Sequence, residues 1–196
     1  MIEDDAGLRA RLVRVGVEMV ASEGLPALTL REIARRAGVS HGAPRRYFPT
    51  HLALLSAIAR AGFADLHAQI AAALVDSPSS PRARLATVAR RYVEFGLTNR
   101  GMFELMFRHD LLESNHLRLR EVSLPLFELL VDLVSHARPG TDPPAAVVAG
   151  ALWANLHGLV QLSSWGSLAL ATGTDDLEPL LTATLDAHLG PNAVHR

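Results

Sequence analysis

Apolar side chains recur along this chain at intervals of three and four residues. Leu8, Leu12, Val15 and Met19 are spaced so that one side of a helix is apolar, which predicts an amphipathic first helix ended by Gly24. Thr29-Leu30-Arg31-Glu32 is a capping box, so a second helix starts at Thr29, and Gly38 stops it early. Ser40 is placed to cap a third helix that Pro49 closes, and Thr50 caps a fourth carrying Leu54, Leu55, Ile58, Phe63, Leu66 and Ile70. Asp76-Ser77-Pro78-Ser79-Ser80-Pro81 reads as a linker. It supplies Ser80 as cap and Pro81 as first residue of a helix running to about Leu97.

Beyond Asn99-Arg100-Gly101 the pattern predicts a short helix with Met102, Phe103, Met106 and Phe107, then a loop from Asp110 to Asn115. A helix containing Pro125 follows and ends before Pro139-Gly140. A long apolar helix from Asp142-Pro143 reaches about Ala171, and a last helix ends at Gly190-Pro191. The sum is about nine helices with no convincing strand, an all-α fold.

The chain is 196 residues long and 49% hydrophobic, enough for a sizeable core in one compact domain or two small ones. Its net charge of −1 excludes a bulk polycation. The charge is uneven: residues 1–50 carry +2 and residues 51–196 carry −3. Between Leu30 and Tyr47, Glu32 is the one acid among five arginines and His41. A basic face on a neutral chain suits directed contact with a polyanion, though a solvated helix surface has the same composition. All nineteen basic residues are arginine.

Cysteine is absent, which excludes disulfides, thiol nucleophiles and thiolate metal sites and fits a reducing cytoplasm. The first residues lack a signal-peptide pattern. No apolar run is long enough for a membrane span, since Asn155, His157 and Gln161 interrupt the best one, Ala145 to Leu162.

Thr29 to Leu55 has the layout of a helix-turn-helix. Ile33 and Val39 wedge the two helices apart, Ala34 lets them approach, and Gly38 supplies a positive φ. LTLREIARRAGVS, the Tyr47-Phe48 pair before Pro49-Thr50, and the apolar LALLSAI together resemble the DNA-binding domain of the TetR family of transcriptional regulators, from about Arg9 to Leu66.

The resemblance implies a homodimer with a helix-turn-helix domain (residues 1–52) and a ligand-binding and dimerising domain (residues 53–196), joined by the fourth helix. It implies that Thr29 and Arg31 approach the DNA backbone and that Ser40, His41, Gly42, Ala43 and Arg45 face bases or phosphates. It further implies phosphate contact by Tyr47, Thr50 and His51, with Arg46 a further DNA contact. Arg45 stands where many members carry tyrosine, and its fork fits guanine O6 and N7. His51 stands where lysine is usual, so a permanent charge becomes a titratable one. Pro44 falls at about the fourth position of the expected third helix. Arg35 and Arg36 read as a solvated face or as partners for acids of the first helix, and Phe48 as core.

In the second half, LWANLHGLVQL resembles the Trp-x3-His-Gly signature of one subclass of the family. Phe103, Met106, Phe107, Trp153, His157 and Gln161 are candidate contacts for a small apolar effector, whose site would be mostly apolar with a few orienting polar groups. His157 is equally a core or interface histidine. Gly150, Gly158 and Gly166 form a small-residue stripe, for a dimer face on the last two helices or for an internal helix contact.

No catalytic motif is present, so no catalytic residues, cofactor or metal are expected. His109, Asp110, Glu113 and His116 make a metal site on paper only. The reading is a ligand-responsive repressor that binds a near-palindromic double-stranded operator as a homodimer, has no membrane partner and is not an enzyme. The alternatives are a helical small-molecule-binding module without DNA binding, and a helical-bundle enzyme with a site near His157.

Overall fold

The computed structural model describes residues 2–140 and 142–191, with side chains from residue 7 onward. Eleven α-helices and no strand occur among these residues. They are α1 (Ile2–Glu23), α2 (Leu30–Arg36), α3 (Ala43–Tyr47), α4 (His51–Val75), α5 (Pro81–Thr98), α6 (Arg100–Met106), α7 (His109–Ser114), α8 (Arg120–Ala137), α9 (Ala145–Ser164), α10 (Ser167–Thr172) and α11 (Glu178–Leu189). Short 3₁₀ turns lie at Leu25–Ala27 and His116–Arg118.

The chain forms two compact units. The first comprises Met1–Asp65 and Asn99–Ser123, the second Leu66–Thr98 and Leu124–Arg196. The chain passes between the units three times, at 65/66 within α4, at 98/99 between α5 and α6, and at 123/124 within α8.

In the first unit, α1 buries Leu12, Val15, Met19 and Val20, the side its spacing predicts. Ile33, Ala34, Phe48, Leu54 and Ile58 complete a fully enclosed apolar centre under the helix-turn-helix. Two glycines permit close helix approach. A Cβ on Gly16 would lie 2.4 Å from Ile58 Cδ1, and one on Gly62 would lie 2.6 Å from Met102 Sδ and 2.7 Å from Met106 Sδ. No side chain larger than hydrogen fits either place without displacing its neighbour.

The second unit is built on α9, which packs against α5, α10 and α11. Its inner side buries Val148, Ala149, Leu152, Leu156, Leu159 and Val160. By length and composition α9 is the one described helix apolar enough to cross a membrane; that inner side is nevertheless spent on helix packing.

Several boundaries differ from expectation. The long apolar helix stops at Ser164, because Gly166 takes a left-handed φ of 73° and starts α10. Gly166 therefore breaks a helix instead of extending a packing stripe. A Cβ on Gly150 or Gly158 would meet nothing within 4 Å, so neither glycine serves a contact inside this chain. The stretch from Asp110 to Asn115, expected as a loop, is mostly α7, and Asn115 ends it in the left-handed region. These breaks raise the count from about nine to eleven.

Candidate functional site

Capping fixes α2 at both ends. Thr29 Oγ1 accepts the Glu32 backbone N–H at 3.2 Å. At the other end Gly38 (φ 66°) donates to Arg35 O at 3.2 Å and Val39 donates to Ala34 O at 3.0 Å, a Schellman motif that a positive-φ glycine makes possible.

The reciprocal half of the capping box is replaced by ion pairs. The Glu32 carboxylate accepts from Arg35 (2.6 and 2.9 Å) and from Arg36 Nε at 2.7 Å. Arg36 also pairs with Glu23 of α1 through both ends of its fork. These hydrogen bonds hold the Glu32 carboxyl down to about 2. Arg35 and Arg36 thus tie α2 to itself and to α1.

The third helix departs from expectation at its start. Ser40 makes no side-chain cap. A turn closed by Ala43 N–H on Ser40 O at 3.0 Å comes first, and Gly42 occupies the capping position. Pro44 sits in the first turn instead of at the fourth position. Proline there loses no helical hydrogen bond and presets φ, so it, and not Ser40, fixes where α3 begins. The ring of Pro44 is buried, which turns the neighbouring side chains outward.

Thr29, Arg31, Ser40, His41, Gly42, Arg45, Arg46, Thr50 and His51 are exposed, while Ala43 and Tyr47 are half-buried. No carboxylate pairs with Arg31 or Arg45 among the described residues. Arg46 lies over the Tyr47 ring at 5.9 Å and Arg9 over the buried Phe48 ring at 5.4 Å. Thr50 Oγ1 caps α4 by accepting from Ala53 N–H at 3.0 Å, and His51 Nε2 lies 2.8 Å from Leu28 O. The helix-turn-helix therefore presents two uncompensated arginines from an apolar base.

The candidate effector contacts divide between the units. Phe103, Met106 and Phe107 belong to the first. Phe103 and Met106 are buried, and Phe107 meets Phe103 at 4.9 Å and Phe63 edge-on at 5.5 Å.

Trp153, His157 and Gln161 lie on α9 in the second unit. There a hydrogen-bonded chain joins three side chains that sequence spacing does not bring together. Trp153 Nε1–H donates to Tyr92 Oη at 2.9 Å, and Tyr92 Oη lies 2.9 Å from His157 Nδ1. An indole N–H only donates, so Tyr92 Oη accepts from Trp153, and the imidazole tautomer sets which of Tyr92 Oη and His157 Nδ1 donates to the other. Burial pushes the Tyr92 phenol up and the His157 imidazole down, so both are neutral near pH 7. Trp153 also packs on Phe127 at 6.0 Å and remains 39% exposed. Tyr92 was not among the sequence candidates; only its position on the inner side of the α5 repeat hinted at it.

Of the paper metal site, His109 Nε2 lies 3.5 Å from Glu113, and Asp110 is instead bound by Arg108 at 2.6 and 3.0 Å. No cluster of three metal-ligating side chains occurs among the described residues.

Residues 12–58 match the model of bacterial regulatory proteins of the tetR family, and residues 85–188 match that of the tetracycline repressor-like C-terminal domain. The regulator BetI of Burkholderia mallei (strain NCTC 10229) is 35% identical over 80 residues, 41% of each chain, so the match spans well under half of that relative. A solved protein of unknown function from Rhodococcus sp. RHA1 is 28% identical, with a TM-score of 0.75 and 93% of each chain covered. The resorcinol complex of RolR shares the fold at 21% identity, with a TM-score of 0.69 over 98% of this chain and 92% of that one.

Proposed function

The chain belongs to the TetR family of bacterial regulatory proteins, and from that premise we propose that it is a DNA-binding transcriptional repressor, holding a near-palindromic operator as a homodimer and released by a small apolar effector. One observation carries the DNA half. Arg35 and Arg36 are consumed by Glu32 and Glu23, while Arg31 and Arg45 are exposed without an acid partner. Cations left uncompensated on a rigid helix pair are what a polyanion recruits.

In this reading Arg45 enters the major groove with His41, Gly42 and Ala43. Thr29, Arg31, Ser40, Arg46, Tyr47, Thr50 and His51 meet the backbone on either side. Residues 1–52 act as the DNA-binding part and residues 53–196 as the ligand-binding and dimerising part.

The dimer half rests on α9 and α11. Val147 (58% exposed), Leu162 (40%) and Trp165 (69%) leave apolar surface on and just past α9, and the open Cβ positions of Gly150 and Gly158 leave room for a close partner helix. A second copy covers such a surface symmetrically.

The effector half rests on Trp153, His157 and Gln161. No residue of α9 is charged, which favours an uncharged ligand. RolR takes the small phenol resorcinol, and a small aromatic suits an aromatic wall with one imidazole. Phe103, Met106 and Phe107 supply the packing of α6 on α4. Helix α4 includes residues of both units, and an effector acts on it only by binding two states unequally.

The test is fluorescence anisotropy with duplexes tiling the DNA upstream of the gene, at two salt concentrations. One duplex bound far above the rest, and more weakly as salt rises, is expected. Equal binding to every tile, followed by no enriched sequence in selection from a random pool, refutes the reading.

A further inference from the structure

Three non-glycine residues among those described hold a left-handed backbone, and all lie between α7 and α8. They are Asn115 (φ 49°), Leu117 (φ 54°) and Arg118 (φ 55°). Asparagine tolerates that region, but leucine and arginine bring Cβ against the next carbonyl oxygen. Two such residues in succession make a strained turn.

Side-chain burial does not impose this conformation. Leu117 is 37% exposed and Arg118 is exposed, while the packing anchors Leu111 and Leu119 lie outside the turn. What grips the turn itself is Arg60 of α4. Its Nη1 donates to Leu117 O at 3.1 Å and to Arg118 O at 3.0 Å. A charged donor shared by two carbonyls outweighs one neutral hydrogen bond. Asn115 Oδ1 adds a cap by accepting the Arg120 N–H at 2.9 Å.

Leu119 is already right-handed (φ −56°, ψ −36°), and α8 starts at Arg120. Were Leu117 and Arg118 right-handed too, α8 would begin near Leu117. Arg120 N–H would then leave Asn115 for the His116 carbonyl, in the helical i→i−4 pattern. The Leu117 and Arg118 carbonyls would go to the N–H groups of Glu121 and Val122, and Arg60 would lose both.

We propose that Arg60 is a latch on a two-state turn. Latched, residues 117 and 118 are left-handed and α8 starts at Arg120; released, they are right-handed and α8 starts near Leu117. Strain offsets part of what the guanidinium bonds contribute, so the two forms lie close in free energy. The latch lies inside the first unit and joins α4 to the entry of α8, two helices that each continue into the second unit. Helix α4 also follows the helix-turn-helix directly, so an event that favours one form of the turn changes what α4 is tied to. The proposal goes beyond the repressor reading and does not depend on it.

Position 118 reports the handedness of the turn. Glycine is favoured over alanine where φ is positive, and alanine over glycine inside a helix. Both substitutions remove the same exposed side chain and its ion pair with Glu121, so their difference isolates the backbone. The experiment is thermal unfolding of the full chain with Arg118→Gly or Arg118→Ala, each with Arg60 intact and with Arg60→Met. Methionine keeps the unbranched stem and deletes the donors. With Arg60 intact the glycine variant melts about 2–4 °C above the alanine variant. With Arg60→Met the order reverses, and the alanine variant melts higher by about 1–4 °C. Arg60→Gln, a milder cut with a shorter donor, reverses the order too and stands in if Arg60→Met does not fold. Glycine above alanine in every background overturns the latch, because the turn is then left-handed unaided. Alanine above glycine with Arg60 intact overturns the strained turn. Duplex binding plays no part in this readout, so the repressor reading and the latch fail separately.

Discussion

Replacing Tyr92 with phenylalanine deletes one oxygen atom and with it the hydrogen bonds to Trp153 and His157. The ring stays, so the buried apolar area of a residue only 8% exposed changes little. What is lost is the acceptor for Trp153 Nε1–H and the hydroxyl partner of His157 Nδ1, both at 2.9 Å. A typical intramolecular hydrogen bond contributes about 1 kcal/mol net, so the pair is worth about 2 kcal/mol. The two halves are unequal. Trp153 is 39% exposed and its N–H turns to water at small cost, whereas the half-buried His157 nitrogen does so less easily. The expected destabilisation is therefore about 1–3 kcal/mol, roughly 5- to 150-fold in the unfolding equilibrium. Urea unfolding followed by tryptophan emission reads it directly, because the chain has two tryptophans, Trp153 and Trp165. The folded-state emission of Trp153 also shifts as its N–H changes partner. A change below about 0.5 kcal/mol, with an unaltered spectrum, refutes the chain of hydrogen bonds as described.

Acid weakens the fold in two windows. Burial holds the His157 imidazole below its ordinary 6.5, and burial followed by the nearby Arg138 charge does the same to His188. The unfolded chain then binds more protons than the native one, so the melting temperature falls as pH drops through about 6.5. Glu32, held near 2 by Arg35 and Arg36, contributes stability that is present above about 4.5 and lost between about 4.5 and about 2. A melting temperature that stays flat from neutral pH to about pH 5 contradicts the histidine assignment, and one that stays flat from about pH 4.5 to about pH 2 contradicts that of Glu32. Ser56 is fully buried on α4 and its Oγ has no hydrogen-bond partner, so Ser56→Ala removes an uncompensated hydroxyl and raises stability by about 1 kcal/mol in thermal or urea unfolding. A loss of stability in that variant means the hydroxyl is satisfied.

Local chemistry was legible in the sequence. Thr29, Thr50 and Ser80 each accept the backbone N–H three residues on, and Gly38 takes the positive φ its place demands. Those outcomes depend on a few consecutive residues, which is why spacing finds them. The start of α3 was misread because Ser40 and Pro44 both signal a helix start, and a buried proline ring outweighs one exposed serine cap. Gly166 was misread because an eight-residue spacing of glycines looks the same whether each glycine packs or bends the chain.

Partnerships across long separations were hidden. Tyr92 meets His157 at 65 residues' distance in sequence. Helical phase indicates that each residue faces inward or outward, but not which residue it meets. Charge counting alone treats five arginines alike; the expectation that Arg35 and Arg36 form a solvated face or meet acids of the first helix is met by Arg36 on Glu23, and the fold sorts the arginines into tied and untied sets.

That sorting is the central claim, and one paired measurement tests it: duplex affinity and melting temperature of Arg45→Ala beside Arg36→Ala. Arg45→Ala is expected to lose about tenfold or more in affinity for the selected duplex with its melting temperature unchanged. Arg36→Ala, which frees Glu23 and half-frees Glu32, is expected to lower the melting temperature first. If Arg45→Ala binds as the wild type does, while Arg36→Ala loses affinity without losing stability, the assignment of duplex-facing and structural arginines is reversed and the account fails.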